Sequence, residues 1–250
     1  MGDPKLHGLM MDDYPLTLTA IVERAELLTP GRKVVSRRPD GSIHRTTIGD
    51  CTLRARRLAT ALAEHGIRDG DRVATLLWNQ PEHLELYYAL PAMQAVIHTL
   101  NPRLHPDELA FIAGDAEDKA IVVDETLLSV LDSFKDAHSF EHVIVVSHSG
   151  DTPEDTIEYE SLLGNADPME WPEPDERRAC AMCYTSGTTG RPKGVLYSHR
   201  ALTLHSLMAS LRDQMDMSMR DTILPVVPMF HANAWGIPYT ATFVGQKIED

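Results

Sequence analysis

The sequence predicts an α/β fold, with layered, mostly parallel sheets flanked by helices. Two observations carry that expectation. Short apolar runs (Val73 to Trp78, Ala95 to Leu100, Lys119 to Val123, His142 to Ser147) alternate with helix-like stretches. These runs are apolar on both faces, as strands buried under helices are. In addition, the two stretches richest in ligand-type side chains, Tyr184 to Val195 and Pro228 to Trp235, each follow an apolar run. That places both at strand ends, where open α/β sheets bind ligands.

Taken in order, residues 1–15 read as a loose lead-in, and residues 16–250 have the length of one large domain or two small ones. Leu18, Ile21, Val22, Ala25 and Leu28 have helical spacing, and Pro30-Gly31 ends that helix. Lys33 to Ser36 and Ile43 to Ile48 flank Pro39-Asp-Gly-Ser, the pattern of a hairpin. Asp50 is placed to cap a helix running to about His65, with Ala55, Leu58 and Leu62 on one face and Gly66 as its stop. Pro81 suits the first turn of a helix through about Met93, and Pro106 opens another. Glu125 to Phe134 is a further helix.

Residues 148–178 are dominated by Asp, Glu and Pro and read as a long solvated loop with a short helix at Tyr159 to Leu163. Ala179 to Tyr184 is a strand, Ser198 caps a helix from His199 to about Arg212, and Thr222 to Val227 is another strand. Gly245 turns into a further strand barely begun at Lys247-Ile248, an ending expected of a fragment.

Composition narrows the function. A chain of 250 residues, 43% hydrophobic and 24% charged, can bury a full core. The balance of 23 Lys and Arg against 37 Asp and Glu, a net charge of −14, argues against a nucleic-acid or membrane-surface binder. Three cysteines make no disulfide framework and fit a reducing compartment. With no long apolar run, no signal-peptide core at the start, and Leu6 where a myristoylation signal wants Ser or Thr, the expected location is cytoplasmic.

Any anion site must therefore be local, and Thr185-Ser-Gly-Thr-Thr-Gly-Arg-Pro-Lys-Gly194 is the candidate. Thr185, Ser186, Thr188 and Thr189 bring hydroxyls; Gly187, Gly190 and Gly194 let backbone N–H groups approach an anion; Arg191 and Lys193 bring charge. The ordinary P-loop spacing fails in both registers: a count from Gly187 meets Pro192, and one from Gly190 meets Val195, where a glycine is required. Cys180, Cys183, His199 and His205 mimic zinc spacing. However, residues three apart on a strand face opposite sides, and residues six apart on a helix diverge.

The run Tyr184 to Val195 closely resembles the signature of adenylate-forming acyl-CoA synthetases, also called AMP-binding enzymes. Gly70-Asp-Arg-Val, Leu100-Asn-Pro-Arg-Leu, Tyr197-Ser-His-Arg and Val227-Pro-Met-Phe-His-Ala-Asn-Ala-Trp-Gly236 extend the likeness from about Leu16 onward, most closely to the fatty-acyl and medium-chain branch. The resemblance implies the first part of that fold's N-terminal domain. It also implies a two-step reaction in which a fatty or other aliphatic acid is joined to ATP, giving acyl-adenylate, and then to coenzyme A.

It further implies phosphate binding by Thr185, Ser186, Gly187, Thr188, Thr189, Gly190 and Lys193, with Thr185 helping to hold Mg2+. Lys193 and His231 are implied to be catalytic, with His231 between carboxylate and phosphates and Trp235 as a gate on the acyl path; the family also allows a homodimer. The family's adenine- and ribose-binding stretches, and its C-terminal domain, have no counterpart in these residues. Two alternatives stay open: an inert nucleotide- or acyl-binding fragment, and an aryl-acid or luciferase-like ligase.

Overall fold

The computed structural model describes residues 14–185 and 190–249, so most of the loose lead-in and Ser186 to Thr189 lie outside the described residues. Two sheets organise the described residues. The larger has seven strands in the order β7-β6-β5-β3-β4-β8-β9. These are β3 (Arg72–Leu76), β4 (Val96–Thr99), β5 (Ala120–Asp124), β6 (His142–Val146), β7 (Ile157–Glu158), β8 (Ala179–Thr185) and β9 (Lys193–Ser198). All neighbours run parallel except β8 and β9, which are antiparallel.

The smaller sheet has the order β10-β11-β1-β2, built from β1 (Lys33–Arg37), β2 (Ile43–Thr47), β10 (Thr222–Ile223) and β11 (Lys247–Glu249). The expected hairpin is there, with β1 and β2 antiparallel, and β1 also pairs in parallel with β11.

Alternation along the strands divides the core. Val73 and Leu77, Ala120 and Val122, Ile144 and Val146 pack into the larger cluster. Ala74 and Leu76, Ile121 and Val123, with Val145, pack on the opposite face beneath α4 (Pro106–Ala116) and α5 (Leu128–Asp132). The larger cluster also takes α1 (Leu18–Leu28), α2 (Ile48–Glu64) and α3 (Pro81–Ala92).

Every residue of α3 is buried, so its polar side chains must be satisfied within the protein. Glu82 makes a two-point pair with Arg38, His83 bonds Thr75 and the Trp78 carbonyl, and Glu85 takes Arg54 Nε at 2.7 Å and the Tyr159 hydroxyl at 2.8 Å. Burial pushes the Glu85 carboxyl up to about 8 and the His83 imidazole down to about 4.

Three expectations need correction. The cap of α2 is Thr47, not Asp50: the Thr47 hydroxyl accepts the Asp50 N–H at 3.1 Å, and Asp50 lies inside the first turn. The strand expected over 222–227 stops at Ile223, because Leu224 and Val226 have no strand partner and are 61% and 84% exposed. Residues 148–178 are not wholly solvated. Besides the expected helix, α6 (Tyr159–Leu163), they contribute β7, and Trp171 lies under the Arg56 guanidinium at 4.7 Å.

Candidate active site

The site is built at the carboxyl ends of β4 and β8, the edge where strand ends leave room for a ligand. A cavity of about 460 Å³ lies there, lined by Thr99, Tyr184, Thr185, Pro192, Phe230 and His231 among others. Thr185 ends β8, and Lys193, which opens β9, is its direct partner across the antiparallel pair. The two shoulders of the signature loop are therefore held side by side by sheet hydrogen bonding.

Tyr184 fixes the base of those shoulders. Its hydroxyl donates to Asp115 Oδ2 at 2.7 Å, and its ring lies 5.3 Å from that of His98. His98 is itself locked, with Nδ1 2.8 Å from Asp118 Oδ2 and both side chains fully buried. Burial, followed by the neighbouring Asp115 carboxylate, raises the Tyr184 phenol above its ordinary range. Gly194 faces this ring: a Cβ there would meet Met182 Cε at 2.4 Å and Tyr184 Cζ at 3.0 Å. The close approach of Tyr184 and Met182 favours glycine here.

The segment carrying His231 has an unusual backbone. Ala232, Asn233, Ala234, Trp235 and Gly236 all have positive φ, from +46° to +70°, an unbroken left-handed turn. For residues with a Cβ this conformation costs about 1–2 kcal/mol each, and asparagine tolerates it best. Gly236 is held to its identity twice over, since a Cβ would also meet His205 Nδ1 at 2.9 Å. Such a run persists only where its surroundings over-determine it. Here Asn233 and Ala234 are buried, and the Thr99 hydroxyl approaches Asn233 Oδ1 at 3.4 Å.

Charge is arranged locally, as the overall balance requires. The guanidiniums of Arg103 and Arg191 lie over the rings of Phe230 and Phe111, at 5.6 and 5.2 Å. Among the described residues, neither these arginines nor Lys193 has an ion-pair partner. Arg103 adjoins Leu104, and Arg191 and Lys193 flank Pro192, both of which line the cavity; the charged side chain on the cavity wall itself is Glu108. A second cavity of about 300 Å³ beside Arg38, Glu82 and His148 is unlike this one, because Arg38 is already neutralised by Glu82.

The structure brings Thr185 and His231 onto one cavity, with Lys193 at its shoulder and Gly190 in the loop at φ +101°. Trp235 does not line that cavity and is 56% exposed. Ser186, Gly187, Thr188 and Thr189 lie outside the described residues. The cysteines and histidines of the zinc-like spacing are occupied elsewhere: Cys180 is buried, Cys183 lines the cavity, His199 accepts the Leu18 N–H at 3.3 Å, and His205 abuts Gly236. Tyr184 and Phe230, as walls, were not marked out by the sequence beyond their place beside the loop and His231.

A ligand-sized cavity at strand ends, walled by Thr185, Pro192 and His231, is what an α/β ligand-binding protein offers. The chain belongs to the AMP-binding enzyme family, whose model matches residues 22–248. It is 50% identical over 239 residues to the long-chain-fatty-acid–CoA ligase of Thermus thermophilus, covering 95% of this chain and 43% of that ligase. It is 42% identical to the medium-chain-fatty-acid–CoA ligase of Ectopseudomonas oleovorans, covering 96% and 45%.

Among solved structures, the anthranilate CoA ligase AuaEII with anthranoyl-AMP shares the fold, with a TM-score of 0.86 at 20% identity over 96% of this chain and 46% of that one. The inhibitor-bound N-terminal domain of FACL13 from Mycobacterium tuberculosis matches with a TM-score of 0.77 at 26% identity, over 93% and 56%. The chain thus spans less than half the length of the two ligases that it matches in sequence. No helix among the described residues is long and apolar enough to cross a membrane.

Proposed function

We propose that the whole protein carrying this chain activates an aliphatic carboxylic acid with ATP and passes the acyl group to coenzyme A, in the cytoplasm. The observation carrying this reading is the convergence of the signature-loop shoulders and His231 on one cavity. The two ligases similar in sequence act, by their names, on fatty acids, which supports an aliphatic rather than an aryl acid.

In the first step a carboxylate oxygen attacks the α-phosphorus, the bond from that phosphorus to the bridging oxygen breaks, and pyrophosphate leaves with the electron pair. The nucleophile is already an anion, so no general base is needed; the barrier lies in bringing anions together and stabilising the leaving group. Lys193 and the loop N–H and hydroxyl groups meet that need, and His231 orients the carboxylate against the α-phosphate. In the second step the coenzyme A thiol, losing its proton, attacks the acyl carbon and AMP departs.

Thr185 contributes one hard hydroxyl oxygen, and among the described residues no cluster of three or more His, Cys, Asp or Glu could hold a metal. A magnesium ion at Thr185 fits only as one shared with phosphate oxygens and water, where it would neutralise phosphate charge. Trp235 stands at the outer side of the His231 segment as a gate for the acyl chain.

Carboxylate-dependent ATP–pyrophosphate exchange in the whole protein tests the proposal across short- to long-chain acids. Exchange with at least one aliphatic acid is expected. Exchange with none, in folded protein that binds ATP, refutes it.

A further inference from the structure

The segment between Ile223 and His231 leaves the small sheet without a strand neighbour, yet it must deliver His231 to a fixed place. What replaces the missing ladder is side-chain hydrogen bonding, chiefly from Asn79. Asn79 lies in the turn between β3 and α3 and uses both ends of its amide on this segment. Its Oδ1 accepts the Met229 N–H at 2.7 Å, and its Nδ2 donates to the Pro225 carbonyl at 2.9 Å. In effect the amide acts as a single peptide unit of an adjacent strand.

The buried Tyr87 hydroxyl donates to the Met229 carbonyl at 2.6 Å, so both backbone groups of Met229 are held, two residues before His231. Trp78, next to Asn79, meets Phe230 edge-on with ring centroids 5.8 Å apart. Immediately beyond His231 the backbone enters its strained left-handed turn, which has no local sequence preference to hold it there apart from Asn233 and Gly236.

We propose that Asn79, seconded by Tyr87, is a positioning residue that sets where His231 stands against the carboxylate. This rests on the adenylation reading above. Asn79 does not line the cavity, and it acts through Met229. Displacing His231 by even about 1 Å would cost orientation at the reacting carboxylate, where such losses reach about 100-fold. In this reading the groups of this chain that meet ATP phosphates, Thr185 and Lys193, are positioned by the pairing of β8 with β9 and not through Asn79, so ATP binding would be less affected than the carboxylate.

The test uses the whole protein with Asn79→Ala, Asn79→Asp and Tyr87→Phe. Asn79→Ala is expected to lower kcat/KM for the carboxylate by about tenfold or more, with KM for ATP within about twofold of wild type. Asn79→Asp, which keeps the acceptor for Met229, recovers part of the loss. Tyr87→Phe gives a smaller loss of the same kind. Amide hydrogen exchange across residues 225–236, which needs no substrate, should rise about tenfold in Asn79→Ala with the strands of the large sheet unchanged.

Equal loss for carboxylate and ATP, or unchanged exchange in 225–236, overturns the positioning role. Absence of carboxylate-dependent pyrophosphate exchange in the wild-type protein refutes the adenylation reading itself. Wild-type activity with an unaltered carboxylate kcat/KM in Asn79→Ala refutes only the part assigned to Asn79.

Discussion

Gly194→Ala tests how tightly the signature loop is seated. The added methyl would lie 2.4 Å from Met182 Cε and 3.0 and 3.2 Å from two carbons of the Tyr184 ring. An ordinary carbon contact needs about 3.5–4.0 Å, so the methionine tip must move by about 1 Å and the ring by a few tenths. Met182 can swing, since methionine is adaptable, but Tyr184 is pinned by Asp115 and backed by His98. Overpacking of this kind costs about 1–3 kcal/mol, and the mobile methionine places this site at about 1–2.

Urea unfolding of wild type, Gly194→Ala, Met182→Ala and the double variant measures it. The methyl enters space that Met182→Ala vacates, so the two costs should be subadditive by about 1 kcal/mol. Pyrophosphate exchange should fall in Gly194→Ala with the loop displaced. Strict additivity, or a Gly194→Ala cost below about 0.5 kcal/mol, would show that the loop is not seated on Tyr184 as described.

Lys193→Ala is expected to slow adenylation by about 100-fold and thioester formation from preformed acyl-adenylate far less, in single-turnover assays of each half-reaction; equal slowing contradicts its role at the leaving pyrophosphate. Glu85 has a folded-state pKa of about 8 against an ordinary 4.5, so its contribution is fully present below about pH 4.5 and is lost as pH rises through about 8. Glu85→Gln should therefore flatten the stability–pH curve across that window, and an unchanged slope would contradict the burial argument. Thr47→Ala should cost about 1 kcal/mol in thermal or urea unfolding by removing the cap of α2, with Asp50→Ala costing less; the reverse order would restore Asp50 as the cap.

What could be read from the sequence followed from burial on both faces. β3 to β6 are continuous apolar runs because helices cover both sides, and that pattern survives in one dimension. Tyr159–Leu163 was legible as a helix because its apolar spacing stands out against an acidic, proline-rich surround. The limits of β10 were not, since Leu224 and Val226 carry strand-type side chains and only the absence of a neighbouring strand prevents the assignment. Thr47 and Asp50 are both capping residues, and choosing between them needs the dihedrals.

At the site, Thr185, Lys193 and His231 were visible as residue types in suggestive places. Asn79 was not, because its meaning depends on Met229, 150 residues away. The left-handed turn after His231 was equally hidden: nothing in Ala232 to Trp235 except Asn233 favours it, and tertiary packing imposes it.

The parallel pairing of β1 with β11 bears on how the chain acquires its shape during synthesis. Val34 sits beside Ile248, 214 positions later in the chain (248 − 34). At about 5–20 residues per second, the first hairpin leaves the ribosome roughly 10–40 s before its partner strand exists. Through that interval Val34, fully buried in the finished fold, has one edge of its strand open to other chains. The nascent polypeptide thus carries a temporary aggregation hazard at β1, one that chaperone capture during translation would mask.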